Sequence, residues 1–187
     1  MSDTERDALL AGDVSWEGEL FSGRPDWGKL AEKPMSQLSA QEQAFMDGPV
    51  EELCSMLSEW EINHEQAEVP EPILSFIKKS GFFGMIIPKS YGGLEFSAYG
   101  HAQVIVKVGA VCTAVATVIS VPNSLGPAEL LLHYGTEKEK NYYLPRLAKG
   151  EEIPCFALTS PHAGSDAAGS MRDHGVVCQA EFEGKEQ

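Results

Sequence analysis

At Gly150 the pattern of this sequence switches from helical to strand-like, and the switch dictates a two-part fold. Before it, helix signals recur. Ser39 followed by Glu42 has capping-box spacing and opens a helix. Gly48-Pro49 interrupts or restarts that helix, and Pro49 is tolerable in a first turn. Val50, Leu53, Leu57 and Trp60 repeat at three and four residues, which predicts one buried face. A second helix is expected from about Glu71 to Ser80, stopping at Gly81. "GFFGMIIPKSYGG" mixes large apolar residues with Gly and Pro and reads as a packed connection. Ser97 can cap a long helix, and Asn123 or Ser124 can cap another that ends at Gly135. Thr136 with Glu139 forms a second capping box, whose helix closes near Lys149-Gly150.

After Gly150, Ile153 to Thr159 reads as a buried strand and Val176 to Phe182 as a half-buried one. The expected organisation is an N-terminal arm over 1–38, a helical domain over 39–150, and the start of a β unit over 151–187. That unit looks unfinished, so the chain looks truncated: a few strands have edges that must pair with something. The arm carries Trp16 and Trp27 without a sustained period and reads as a segment that lies on something. The fold class is therefore mainly α, a helical bundle followed by the first strands of an incomplete β-barrel-like domain.

Composition narrows the function classes. The 187 residues hold 43% hydrophobic side chains, enough for a sizeable core. Fourteen basic against 28 acidic residues give a net charge of −14, which opposes nucleic acid and anionic membrane surfaces. Cys54, Cys112, Cys155 and Cys178 form no CxxC pair and have no His at metal-ligand spacing. Neither a disulfide framework nor a zinc site is expected, and a reducing, cytoplasmic setting fits. The start, "MSDTERDALL", is charged and lacks a signal peptide's apolar stretch. Val104 to Val121 is apolar, but Lys107 leaves about 14 uninterrupted residues, short of the roughly 20 a bilayer needs. A buried core helix is expected there.

The stretch "CFALTSPHAGSD" concentrates polar, small residues at a strand exit. Pro161 stiffens that exit, and Gly164, lacking a Cβ, lets a ligand approach the backbone closely. Successive N–H groups in such a turn can cradle an anion, with the Ser165 hydroxyl as a further donor. Thr159 can offer backbone and hydroxyl hydrogen bonds to a heteroaromatic edge. Asp166 suits a turn better than a phosphate. A plain turn has the same composition.

The whole string resembles the flavin-contacting segment of acyl-CoA dehydrogenases, close to (Y/F)-(A/C)-(L/V/M)-T-E-P-x-A-G-S-D. "FMDGPVEELC", "FFGMIIPKSYGGLEFS" and "PNSLGPAELLLHYGTEKEKNYYLPRLAKGEEIPCFAL" occur in the family's order, and the arm "WEGELFSGRPDWGKL" is similar to the family's large bacterial fatty-acid β-oxidation members. The resemblance implies FAD, with Phe156, Leu158 and Thr159 against the flavin ring and Gly164 and Ser165 near the pyrophosphate and the acyl-CoA. Leu125 would line the acyl cavity, where a plain core leucine is the alternative. Ser160 departs from the common Glu, and His162 reads as an exposed loop residue.

The implied reaction is desaturation of a fatty acyl-CoA to the trans-2-enoyl-CoA. A carboxylate takes the α-proton, hydrogen bonds to the thioester carbonyl acidify it, and the flavin accepts the β-hydride. In the family that carboxylate lies in a C-terminal helical domain, so no catalytic base is named among residues 1–187. Glu151 and Glu152 read as solvated. The fragment alone should be inactive. Electron-transfer flavoprotein is the implied acceptor, and the full-length protein should be a homo-oligomer. An acyl-CoA oxidase or flavin monooxygenase on the same scaffold is an alternative; a non-enzymatic, acidic protein-binding module is one of another class. A longer N-terminus with a hydrophobic segment would attach the product to a membrane.

Overall fold

The computed structural model describes residues 16–155, 157, 159–161, 164, 172–179, 181–182 and 185–186. The chain divides into two compact units, Met1–Gln37 and Leu38–Gln187. In the first, a 3-10 helix (Trp16–Ser22) precedes α1 (Trp27–Ala31). Asp26 caps α1 by accepting from the Lys29 N–H, and the Trp16 indole donates to the Asp26 carbonyl at 2.8 Å. The Trp16 and Trp27 rings lie 5.0 Å apart. These contacts are local, and Phe21 stays 92% exposed.

Between Ala40 and Lys149 the second unit is built mainly of helices, as the periodicity predicts. Helices α2 (Ala40–Phe45) and α3 (Glu51–Met56) are joined by a π turn at Met46–Val50, so Gly48-Pro49 widens the helix rather than ending it. Leu57 is extended (φ −88°, ψ 131°), and the periodic face stops there. Val50 and Leu53 are fully buried, whereas Trp60 is 64% exposed, contrary to the single buried face expected. A second π turn, Glu61–Gln66, leads to α4 (Glu71–Lys79), which ends at Ser80 and Gly81. Gly81 has φ +82°, a conformation that favours glycine.

"GFFGMIIPKSYGG" is packed: Phe82, Phe83, Met85 and Ile87 are all buried. Ser97 caps α5 (Ala98–Gly109), but α5 and α6 (Thr113–Ser120) are two helices, not one. The break lies at Cys112 (φ −151°, ψ 109°), whose N–H returns to the Val108 carbonyl at 2.8 Å. Gly109 then faces Ala116, and two small residues let the helices approach closely. A π turn (Val121–Leu125), α7 (Pro127–Tyr134) and α8 (Glu137–Lys149) complete the set. Among the described residues, the helical run Thr113–Tyr134 is long and apolar enough to cross a membrane, yet Val115, Ala116 and Ile119 sit in the core.

Two apolar clusters hold this unit. The larger joins Phe45, Leu53, Ile77, Phe82, Val108 and Ile119 among others; the smaller joins Ile87, Ala128, Leu144, Leu147 and Ala148. Each large side chain removed from water contributes about 1.5–3 kcal/mol. After Gly150 the strand expectation is corrected. None of the described residues between Ile153 and Thr159, or from Val176 to Gln179, lies in a strand. The strands among the described residues are β1 (Glu181–Phe182) and β2 (Lys185–Glu186), an antiparallel pair in register Phe182↔Lys185. Strand-type sequence needs a partner strand to satisfy its N–H and C=O groups, and the described residues of 153–159 lie in no such pair.

Candidate functional site

A capped helix leads to the "TSPHAGSD" stretch. Helix α8 is opened by the Thr136–Glu139 capping box and closed at Gly150, φ +66°. The Gly150 N–H donates to the Leu147 carbonyl and the Glu151 N–H to that of Arg146. A Cβ at Gly150 would sit 2.6 Å from the Phe83 ring, so only glycine both turns the chain and packs there. Glu151 is exposed and lies 3.8 Å from Lys149, while Glu152 meets Arg146 at 3.4 Å. Both are solvated ion-pair partners. Arg146 also stacks over the Tyr142 ring at 4.2 Å.

A cavity of about 300 Å³ lies at the base of this exit, lined by Pro127, Leu131, Tyr143, Leu147 and Glu152–Pro154. Beyond it, Thr159 is exposed and Ser160 half-buried. Gly164 is also exposed, and a Cβ there would meet no atom of the described residues beyond its chain neighbours within 4 Å. Phe156, Leu158, His162 and Ser165 lie outside the described residues. Leu125 ends the π turn that follows α6. The structure thus describes Thr159, Gly164 and the backbone of Leu125, and reports no contact that brings them together. Among the described residues, no group of three metal-ligating side chains occurs.

Sequence reasoning gave Asn123 or Ser124 the role of helix cap, and the structure overturns it. Gly126 precedes α7 without a side-chain cap. Asn123 is instead buried at 2% exposure, and its amide donates to the Phe82 carbonyl (2.7 Å) and the Ile119 carbonyl (2.9 Å). Its Oδ1 accepts from the Ile86 N–H at 3.3 Å. One side chain thereby fixes the turn carrying Leu125 to the Phe82–Ile86 connection. A lone amide within the apolar run "VISVPNSLG" was the available signal.

A second missed residue is Glu42. It is buried at 4% exposure, accepting from the Ser39 N–H, the Ser97 N–H and the Ser97 hydroxyl, each at 2.7 Å. Burial alone would raise its carboxyl pKa. The Ser97 hydroxyl and the Ser39 and Ser97 backbone donors outweigh that and lower it to about 2. One carboxylate thus holds the N-termini of α2 and α5 together.

The family model for the acyl-CoA dehydrogenase N-terminal domain matches residues 37–151. An acyl-CoA dehydrogenase of Bacillus subtilis is 36% identical over 60% of this chain and 29% of its own length. The rat mitochondrial very long-chain specific acyl-CoA dehydrogenase is 35% identical over 84% of this chain and 24% of its own length. Among solved structures, butyryl-CoA dehydrogenase of Megasphaera elsdenii superposes with TM-score 0.63 at 21% identity, covering 73% of this chain and 36% of that one. The prolyl acyl carrier protein oxidase AnaB gives TM-score 0.56 at 28% identity, covering 70% and 35%. The chain spans about a quarter of the length of the curated relatives it matches. With a family match over more than half its residues and the same helical architecture, the chain belongs to the acyl-CoA dehydrogenase family and contains its N-terminal helical domain.

Proposed function

We propose that this chain is the N-terminal part of an FAD-dependent acyl-CoA dehydrogenase of fatty-acid β-oxidation, which converts acyl-CoA to trans-2-enoyl-CoA. The observation that carries the reading is the family match over 37–151, followed directly by an exit segment whose Thr159 and Gly164 are open to a ligand. The backbone at Gly164 supports a flavin nucleotide: it has no Cβ, and none of the described residues beyond its chain neighbours comes within 4 Å of where one would stand, so a phosphate group could approach it. Thr159 and Gly164, with Phe156, Leu158 and Ser165, would hold the cofactor; Leu125 and Ser165 would face the acyl-CoA. Bound FAD supplies the hydride acceptor. The chain's own contribution is position: Asn123 fixes the turn of Leu125, and Gly150 sets where the exit segment leaves α8. The α-proton base belongs to the part of the relatives that this chain does not span.

Electron-transfer flavoprotein is the proposed acceptor, a homo-oligomer the proposed assembly, and the cytoplasm the proposed location. The oxidase reading has one observation in its favour, the likeness to AnaB at 28% identity. Acyl-CoA-dependent dye reduction by the whole gene product, measured with and without oxygen, separates the two. Dye reduction without peroxide supports the dehydrogenase; stoichiometric peroxide supports the oxidase. Neither activity in a flavin-loaded product would contradict both. Residues 1–187 alone should elute from gel filtration without stoichiometric yellow flavin and should not desaturate acyl-CoA.

A further inference from the structure

Between the π turn Glu61–Gln66 and helix α6 lies a groove of about 400 Å³. Its floor is Ile62, 3% exposed, and its apolar walls are Val69, Ala114 and Val118, all half-buried. It stays open for two local reasons. Ala67 closes the π turn in the left-handed conformation (φ 54°) and turns the chain aside, and Ala114 is too small to fill the space. Trp60 stands on the adjoining helical turn, largely exposed, with its ring 4.3 Å from that of His64. An accessible apolar slot near an exposed tryptophan has the make-up of a recognition surface.

The charge around it selects the occupant. Residues 34–77 contain nine Asp and Glu and no Lys or Arg. Glu68 lines the groove, and Glu59, Glu61 and Glu65 are exposed on the turns beside it. None of the four takes part in an ion pair among the described residues. Other carboxylates of the unit are paired: Glu51 with Lys107, Glu137 with Lys140 and Glu152 with Arg146. Four uncompensated carboxylates repel nucleic acid and anionic lipid, and they favour a ligand that brings its own cations. The apolar slot requires that ligand to carry a bulky apolar side chain too.

We propose that this groove docks a cationic polypeptide segment of a partner protein, anchored by an apolar side chain in the slot and by lysine or arginine against Glu61, Glu65 and Glu68. The proposal is independent of the flavin reading, because none of its residues belongs to the 153–165 segment. The probe is a fluorescein-labelled amphipathic peptide of leucine and lysine. Its partner control keeps the lysines and replaces each leucine with serine. Anisotropy should show binding of the leucine peptide that weakens as salt rises. Ala114→Trp, which fills the slot, should weaken it about tenfold or more. The triple variant Glu61→Gln, Glu65→Gln, Glu68→Gln changes only exposed side chains, keeps the melting temperature, and should weaken binding by a similar factor. Equal binding of the serine peptide would reduce the effect to charge alone and overturn the proposal, as would unchanged binding by the triple variant. Self-association of the chain that Ala114→Trp abolishes would make the occupant a second copy and overturn it as well.

Discussion

A single buried carboxylate shows how much of this fold hangs on individual side chains. Glu42 was legible as half of a capping box, since Ser39 stands three residues before it. Its bonds to Ser97 were not legible, because nothing in linear spacing joins positions 55 residues apart. Its depressed pKa makes it a pH-dependent stabiliser. The folded value of about 2 lies below the ordinary 4.5. Its contribution is therefore complete above about pH 4.5 and disappears as the pH falls toward 2. Glu42→Gln should destabilise the unit at pH 7 by about 1.5–3 kcal/mol, the worth of hydrogen bonds to a charged group. The gap between the two proteins' denaturation midpoints should close on acidification through that window. A gap independent of pH would mean that packing, not charge, sets the role. Gly100 makes a companion case. Its missing Cβ would stand 2.3 Å from the Glu42 carboxylate. Alanine in place of glycine within a helix normally helps by about 1 kcal/mol. Gly100→Ala should instead lower the melting temperature, and a rise would contradict this geometry.

Elements were read with uneven success, and the reasons are physical. Caps report local chemistry, so the starts of α2, α5 and α8 and the stops at Gly81, Gly135 and Gly150 could be read from the sequence. Breaks set by tertiary packing could not. The turn at Cys112 divides one apolar run into two helices, which pack with Gly109 facing Ala116. Leu57 is extended and ends the buried face before Trp60. The described residues of 153–159 lie in no strand despite a strand-type composition, since a strand exists only with its neighbour. Asn123 is the element-scale test of how the Leu125 turn is held. Asn123→Leu would leave the Phe82 carbonyl and the Ile86 N–H without their side-chain partner, a loss of about 2 kcal/mol or more. Chemical denaturation should show it as a lower midpoint. A variant as stable as the parent would show that the turn is held by its apolar contacts alone.

For the molecule as a whole, the helical domain is a scaffold that ends at a glycine stop. Two apolar clusters fix the helices, α8 runs to a glycine stop, and the chain leaves it at one defined place. Of the candidate cofactor residues, Thr159 and Gly164 are exposed, which a ligand site and a plain turn have in common. The "TSPHAGSD" pattern yields an expectation from sequence because the chemistry it proposes is local. The opposing wall of such a site could not be read, since it would come from sequence that this chain does not contain. The central claim is that Thr159, Gly164 and Ser165 act on the cofactor rather than on folding. Its most direct test measures FAD affinity beside apo-protein melting temperature for Thr159→Ala, Ser165→Ala and Gly164→Val in the whole gene product. The two alanine variants should bind FAD more weakly while their apo forms melt close to the parent, since one neutral hydrogen bond is worth about 1 kcal/mol of folding free energy. Gly164→Val should lose the most affinity, because a β-branched side chain occupies the open space at that turn. Apo forms that melt far lower while binding FAD normally would contradict the account and leave the stretch as a turn.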